Sequence, residues 1–148
     1  MLQIRRNTFE TNSSSCHSIS ISNSSLNEYE EFDIPKNKEG KIELRTGEFS
    51  YGDEIDTLSE KLTYLMTLAI RNCNNEEEIK NCEDLKWLEE QLKDVCNGIF
   101  IPKKFKDNGH IDSEIRMSPE RFLINEFMED DIMEFLTNSR YGINIYRT

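Results

Sequence analysis

The residues best suited to chemistry lie in one short window near the start of the chain, RRNTFETNSSSCH at positions 5–17. Successive serine hydroxyls and backbone N–H groups in a loop are suited to hold a phosphate or a carboxylate, and an arginine adds charge-assisted hydrogen bonds. The window therefore predicts an anion-binding site made of Arg5, Arg6, Asn12, Ser13, Ser14 and Ser15.

The same window contains groups suited to proton transfer. His17 would carry a proton near neutral pH, with Glu10 to orient the imidazole. The nucleophile would be Cys16 or one of the three serines, since a hydroxyl or thiol beside a base is the minimum unit of covalent catalysis. The alternative is a polar turn whose serines satisfy the backbone of their own loop.

A second polar cluster, DNGHIDS at 107–113, contains the other histidine of the chain, His110. Residues two apart point to the same side of an extended strand, so Asp112 would hold one tautomer of His110 as the carboxylate of a triad does. The candidate catalytic groups are therefore His17, His110 and Asp112. The alternative is an Asx-type turn that closes a hairpin without any chemistry.

The charge of the chain bears on its partners. With 29 acidic and 18 basic residues, the formal net charge is −11, and such a surface repels phosphate backbones. We therefore expect no direct nucleic-acid binding, and instead a protein or ribonucleoprotein partner with a basic groove. The residues expected to contact it are Glu28, Glu30, Glu31, Asp33, Glu76, Glu77 and Glu78. The alternative is that the excess of acid only keeps the protein soluble.

Nothing in the sequence predicts a metal, a cofactor or a membrane span. The four cysteines form no C-x-x-C pair, so we expect reduced thiols, with Cys82 and Cys96 packed on a helix face. The chain has no run of about 18 apolar residues, and its start lacks the apolar region of a secretory signal. We therefore expect a soluble cytoplasmic protein.

The elements that must position both clusters follow from the spacing of apolar residues. Strands are predicted over 2–9, 18–22, 99–102 and 141–148, and residues 41–52 would form a strand or a hairpin. Residues 10–17 are predicted as a loop. We also expect the last strand to pair beside the first.

Three helices are predicted between and after these strands. Asp53 would cap the first, whose apolar face is Ile55, Leu58, Leu62, Leu65, Ala69 and Ile70. The second would run from Glu76 to Gly98 and bury Ile79, Cys82, Leu85, Leu88, Leu92 and Val95. Ser118 would cap the third, which ends near Asn138. This order indicates a single α+β domain over 1–148, with a mostly antiparallel sheet and about three helices on one face.

The opening window resembles that of a loosely defined group of small proteins encoded by bacteriophages and mobile elements, many from Gram-positive bacteria. The group has an R-x-x-x-F-E-T-N-S-S-S-x-H signature, which this chain matches at Arg5, Phe9, Glu10, Thr11, Asn12, Ser13, Ser14, Ser15 and His17. A later G-x-I-D-H-x-S-like turn is matched at Gly109, Ile111 and Asp112. Ser113 stands where the group has its histidine, and the imidazole of this chain is at His110.

The resemblance implies a phage or mobile-element gene expressed in a bacterial cytoplasm. In that setting, a common role of a small acidic protein is to occupy a basic nucleic-acid channel of a host system. The first hypothesis is therefore an anti-CRISPR-like inhibitor that uses carboxylates in place of phosphates. The second is a small hydrolase or group transferase acting on a phosphorylated or nucleotide-like substrate. A third is a structural or regulatory phage protein that forms a homodimer.

Overall fold

The structure is a computed structural model that describes residues 15–21, 29–105, 107–112, 117–127 and 131–147. The helices in these ranges are α1 (Leu58–Ile70), α2 (Glu76–Lys80), α3 (Glu83–Gln91), α4 (Pro119–Phe127) and α5 (Ile132–Thr137). The strands are β1 (Ser15–Ile21), β2 (Ile42–Glu43), β3 (Glu48–Phe49), β4 (Glu54–Ile55), β5 (Ile99–Phe100), β6 (His110–Ile111) and β7 (Tyr141–Arg147). The mixed α+β class is confirmed.

The longest strand pair joins the two ends of the described chain. β7 lies between β1 and β4 and is antiparallel to both, with Ile19 opposite Ile143. The predicted closing strand is thus confirmed, and its long partner is the serine-rich strand. The predicted loop over 10–17 is wrong at its end, because Ser15, Cys16 and His17 belong to β1. Backbone pairing along all seven residues of β7 outweighs the turn preference of the serines.

Two further sheets have two short strands each, and both are parallel. β2 pairs with β5, and β3 pairs with β6. The single, mostly antiparallel sheet predicted from the sequence is therefore wrong, and so is a hairpin over 41–52. Parallel partners need a long crossover connection, and the segment that contains α1, α2 and α3 provides it for both pairs.

Helix α1 starts later than predicted. Thr57 is its N-cap and accepts a hydrogen bond from the Glu60 N–H, whereas Asp53 accepts from Ser50 N–H in the preceding turn at 2.7 Å. Ile55 belongs to β4. The threonine is preferred because its oxygen reaches an N–H of the first turn that has no helical partner. The apolar face of the helix is otherwise as predicted, and all its remaining members are buried.

The predicted second and third helices each consist of two shorter ones. The second breaks at Asn81, whose side-chain amide donates to Glu77 O and so competes with the helix backbone. Ile79, Leu85, Leu88 and Leu92 are buried as predicted, whereas Cys82 and Val95 are half-buried. The third starts as predicted, with Ser118 Oγ accepting from Arg121 N–H at 3.1 Å. A second cap, Asp131, starts α5.

Helix α1 lies at the centre of the hydrophobic core, because ten of its residues are buried around its circumference. Aromatic rings run across the core in successive contact: Phe49 with Tyr64, Tyr64 with Phe122, Phe122 with Phe135, Phe135 with Phe127, and Phe127 with Tyr141. Such pairs add about 0.5–1.5 kcal/mol each beyond their burial. Among the helices in the described ranges, none is long and apolar enough to cross a bilayer.

Candidate functional site

The second polar cluster forms a turn that we call the histidine turn, residues 107–112. Its end is strand β6, in which His110 lies opposite Glu48 and Ile111 opposite Phe49. The backbone N–H of His110 donates to Gly47 O at 2.9 Å, and the backbone N–H of Asp112 donates to Phe49 O at 2.8 Å. Ile111 between them is buried in the core. The backbone on both sides of Ile111 is therefore fixed.

The start of the histidine turn is the predicted Asx turn. Asp107 Oδ1 accepts from Gly109 N–H at 2.9 Å, and Gly109 has a φ of +76°. A side chain at position 109 would also overlap with the carbonyl oxygen of Gly47. Only glycine meets both conditions. The turn does not close a hairpin, however, because the strand that follows it is parallel to β3.

Asn108 attaches the histidine turn to the end of α1. Its side-chain amide donates to Ile70 O at 2.9 Å and also to Cys73 O. The last carbonyls of a helix lack helical donors, and this amide supplies one to Cys73 O and a second one to Ile70 O, which also accepts from Cys73 N–H. The turn and the C-terminal end of α1 consequently hold each other in place.

His110 and Asp112 are in direct contact, as the sequence predicts for residues two apart on a strand. His110 Nε2 lies 2.8 Å from Asp112 Oδ1, and the side chains are 65% and 30% exposed. The second carboxylate oxygen accepts from Tyr51 N–H at 3.4 Å. When Nε2 carries the proton donated to Asp112, Nδ1 keeps its lone pair. The pair is then suited to accept a proton from a group in solvent.

A cation lies next to this pair. Arg71, at the end of α1, donates from Nη2 to Ile111 O at 3.4 Å, so a guanidinium group contacts the strand that carries His110. The arrangement combines a base, an orienting carboxylate and a cation, which are three of the groups that phosphate-directed chemistry uses.

The two histidines are in different sheets. His17 lies in β1 opposite Ile145, whereas His110 is in the parallel pair of β3 and β6. Their convergence on one cleft stays a prediction, because the side chain of His17 lies outside the described residues. The same holds for the predicted residues Arg5, Arg6, Asn12, Ser13, Ser14 and Glu28, and only the backbone of Ser15 is described, in β1.

The acidic triplet at the start of α2 has local partners. Glu76 is 3.5 Å from Lys80, and the side chain of Glu77 accepts from Asn81 at 3.4 Å. Glu78 accepts from Asn74 N–H at 2.8 Å, while its own N–H donates to the Asn75 side chain. The carboxylate of Glu78 thus stabilises the helix start, that of Glu77 contacts the residue at the helix end, and that of Glu76 balances a lysine. This triplet presents less free charge than its sequence indicates.

Of the other predicted partner-binding residues, the structure describes Glu30, Glu31 and Asp33, and Glu30 contacts the start of α1. We define the acidic edge as Glu30, Glu31, Asp33, Asp56 and Glu60, all of which are exposed. Glu30 Oε1 accepts from Leu58 N–H at 2.9 Å, so the segment around Glu30 is fixed to the first turn of α1. None of the five makes an ion pair with a described lysine or arginine. Asp56 and Glu60 were not among the residues predicted from the sequence.

The sequence interpretation also missed a buried lysine. Lys61 is fully buried, and its ammonium donates to the carbonyl oxygens of Phe135 at 2.7 Å, Tyr141 at 2.9 Å and Asn138 at 3.3 Å. Burial lowers its pKa to about 8, and the charges of Glu30 and Asp56 oppose that shift. Its position in the sequence indicates burial, because a residue three after Leu58 and four before Leu65 lies on the buried face of the helix.

The sequence interpretation also missed Glu126, another charged residue on the apolar side of a helix. It lies four residues after Phe122 and three after Leu123, so helical spacing turns it towards the apolar side of α4. Burial raises its pKa from the ordinary 4.5 to about 7. It acts on the buried Tyr64, whose pKa is raised mainly by burial and further by the charge of Glu126.

The chain was compared with protein-family models, with curated proteins and with solved structures, and none of the three comparisons gives a match. Within the described ranges, no group of three or more His, Cys, Asp or Glu side chains is arranged to hold a metal ion. The site must therefore be interpreted from its own geometry.

Proposed function

We propose that this protein binds and inhibits a host defence complex or another nucleic-acid-handling complex, in the manner of an anti-CRISPR protein. Its acidic surface would occupy a basic groove that otherwise holds nucleic acid. The observation that carries the proposal is the acidic edge, whose five exposed carboxylates make no ion pair with a described cation. The resemblance of the opening window to phage proteins supports the setting.

The electrostatics favour the acidic edge over the α2 triplet as the contact surface. A carboxylate that already neutralises a lysine or caps a helix gives up that interaction when it binds a partner. The acidic edge makes no ion pair with a described lysine or arginine; its local interactions are the Glu30 contact with Leu58 N–H and the weaker attraction of Glu30 and Asp56 to Lys61. The net charge of −11 increases the attraction to a basic groove. We therefore expect the acidic edge to contribute most to binding.

The test is competition with nucleic acid for purified RNA-guided effector complexes. We expect the wild-type protein to displace target DNA from a susceptible complex. The triple variant Glu31→Gln, Asp33→Asn and Asp56→Asn should lose at least tenfold in inhibition. The variant omits Glu30 and Glu60 because their side chains stabilise the start of α1.

A matched control removes the same charge elsewhere. The variant Glu39→Gln, Glu90→Gln and Asp94→Asn changes three exposed acids outside the acidic edge, and it should inhibit almost as well as wild type. Binding should weaken steeply between about 50 and 200 mM salt, because exposed charges are screened beyond roughly 10 Å. Inhibition that is insensitive to salt, or equally weakened by both triple variants, would contradict phosphate mimicry.

The contact between His110 and Asp112 favours a second candidate, a small hydrolase or group transferase acting on a phosphorylated or nucleotide-like substrate. In this function His110 accepts the proton, Asp112 orients its ring, and the nearby Arg71 attracts the anion. His17 would be the partner acid or base.

This second candidate is tested with a panel of phosphomonoesters and nucleotides. Activity in the wild type that is lost in His110→Ala and in His17→Ala, with an unchanged melting temperature, would support it. Asp112→Asn should lower kcat more than it raises KM, because it acts through the imidazole. The absence of turnover on every substrate class, or turnover that survives both histidine substitutions, would remove it.

A further inference from the structure

Two cysteines that are separated by helix α2 meet at the C-terminal end of α1. Cys73 follows α1, and its N–H donates to Ile70 O at 2.9 Å. Cys82 is the N-cap residue of α3 but makes no capping hydrogen bond with its side chain. Its Sγ donates instead to Ala69 O at 3.1 Å, in the last turn of α1. Ala69 is one helical turn before Cys73, so both sulfurs lie at the same end of the helix.

The placement of both cysteines at the end of α1 brings the two thiols close enough for each to affect the other. Burial is the main reason that the pKa of Cys73 is raised to about 11, and the next two causes are the charge of Cys82 and a hydrogen bond with it. Both side chains are half-buried, whereas Cys96 is fully buried. The two cysteines therefore share one end of α1 and are both partly accessible to solvent, as a reactive cysteine pair must be.

Cys82 also lines an open groove. The groove has a volume of about 390 Å³, and its lining includes Ile79, Leu85, Ile99 and Ile101 beside Cys82, together with charged side chains. A molecule the size of hydrogen peroxide reaches this sulfur without any rearrangement of the backbone. Cys73 is not among the residues that line the groove.

We propose that Cys73 and Cys82 are a redox modification site, which a peroxide converts reversibly into an intramolecular disulfide. The Cys82 thiolate attacks one oxygen of hydrogen peroxide, the O–O bond breaks, and the departing hydroxide takes up a proton to leave as water. Cys82 is then a sulfenic acid. The Cys73 sulfur loses its proton and attacks Cys82 Sγ, the S–O bond breaks, and a second water leaves. Two thiols and one peroxide thus give one disulfide and two waters.

The order in which the two cysteines react follows from their surroundings. Cys82 faces the groove and meets the oxidant first. Cys73 is largely protonated at neutral pH because its pKa is raised, so it reacts slowly with peroxide in solution. Its attack on the sulfenic acid of Cys82 is intramolecular, and this proximity compensates for the low reactivity of the protonated thiol. A small thiol reductant reverses the reaction by exchange.

The disulfide would close a ring that contains the whole of α2. It would join the end of α1 to the start of α3 and restrict the segment that carries Glu76, Glu77 and Glu78. A cross-link of this length restricts the unfolded chain and should raise the melting temperature of the full-length protein by about 5–10 °C.

The experiment treats the full-length protein with hydrogen peroxide and maps the products by mass spectrometry after digestion. We expect one cross-linked peptide pair, Cys73 with Cys82, which has lost two hydrogen atoms and is restored by glutathione. The melting temperature should rise with the fraction of cross-linked protein. Cys96→Ser is the matched control and should form the same cross-link.

Two variants separate the roles of the cysteines. In Cys73→Ser the sulfenic acid of Cys82 should accumulate and react with a cyclic 1,3-diketone probe, whereas in Cys82→Ala neither the cross-link nor the adduct should form. If either variant fails to fold, differential alkylation of the oxidised wild type gives the same assignment. Oxidation that yields another pairing, a dimer linked between chains, or single adducts without a Cys73–Cys82 bond would overturn the proposal.

Discussion

Lys61 and His110 each place a nitrogen beside oxygen acceptors, one in the interior and one at the surface. Lys61 is fully buried and is held by three backbone carbonyls. His110 is 65% exposed and is held by one carboxylate two residues away. The difference indicates that Lys61 connects distant segments of the fold, whereas the imidazole of His110 remains available to a substrate or a partner.

The largest expected effect is that of Lys61→Met. Methionine fills a similar space but cannot donate, so the carbonyls of Phe135, Asn138 and Tyr141 lose the donor that ties α5 and β7 to α1. We expect a loss of about 2–4 kcal/mol in the free energy of unfolding, measured with a chemical denaturant.

The control for that substitution is Lys80→Met, at an exposed lysine that pairs with Glu76 on one face of α2. It should change the free energy of unfolding by less than about 0.5 kcal/mol. If Lys61→Met is equally mild, then the cost of burying the ammonium cancels its hydrogen bonds, and the interior charge is not what holds these segments.

Gly109→Ala tests the scaffold of the histidine turn rather than its side chains. The new methyl group would overlap with Gly47 O, at a φ of +76° that L residues rarely adopt. We expect a loss of about 2–3 kcal/mol in the free energy of unfolding.

Gly52→Ala provides the control for Gly109→Ala. Gly52 has a φ of +97°, but a Cβ there has no neighbour within 4 Å, so this variant measures the backbone strain without the overlap. Its cost should be about 1 kcal/mol. Equal costs at the two positions would show that the contact with Gly47 does not hold the turn.

The pH dependence of stability distinguishes the interior charge from the exposed pair. The folded-state pKa of Lys61 is about 8, compared with an ordinary value of 10.5. Between these values the unfolded chain binds a proton that the folded chain has released, so the free energy of unfolding rises with pH. Below pH 8 Lys61 is protonated in both states, so its contribution to the pH dependence of the free energy of unfolding ends there.

We therefore expect the stability difference between wild type and Lys61→Met to widen by on the order of 2 kcal/mol from pH 8 to 10.5. Denaturant unfolding at several pH values within this interval measures it. A difference that stays constant with pH would mean that Lys61 keeps its ordinary pKa in the folded protein.

The parts of the fold that the sequence could predict are those that depend on local spacing. The faces of α1 and α3, the cap at Ser118 and the contact between His110 and Asp112 all follow from residues within a few positions of one another. Sheet topology did not follow, because β2 and β3 are too short to show a period and their partners lie beyond α3.

The buried Lys61 and the half-buried Glu126 show a different limit of sequence interpretation. Lys61 and Glu126 occupy apolar positions by spacing, but a charged residue at such a position is usually assigned to the surface. Their acceptors or apolar surroundings come from segments that no local pattern connects to them. The placement of Cys82 at the end of α1 has the same origin, because it depends on the break that Asn81 introduces after α2.

The smallest expected effect is that of His110→Ala. The ring is mostly in water, and its interaction with Asp112 is screened, so the free energy of unfolding should change by less than about 0.5 kcal/mol. A double-mutant cycle with Asp112→Ala measures the coupling directly, and Asp112→Ala alone should cost slightly more because Tyr51 N–H also loses its acceptor. We expect a coupling energy below about 1 kcal/mol. A coupling above roughly 2 kcal/mol would place the pair with Lys61 among the groups that maintain the fold, and it would remove the main reason to assign the exposed imidazole to function.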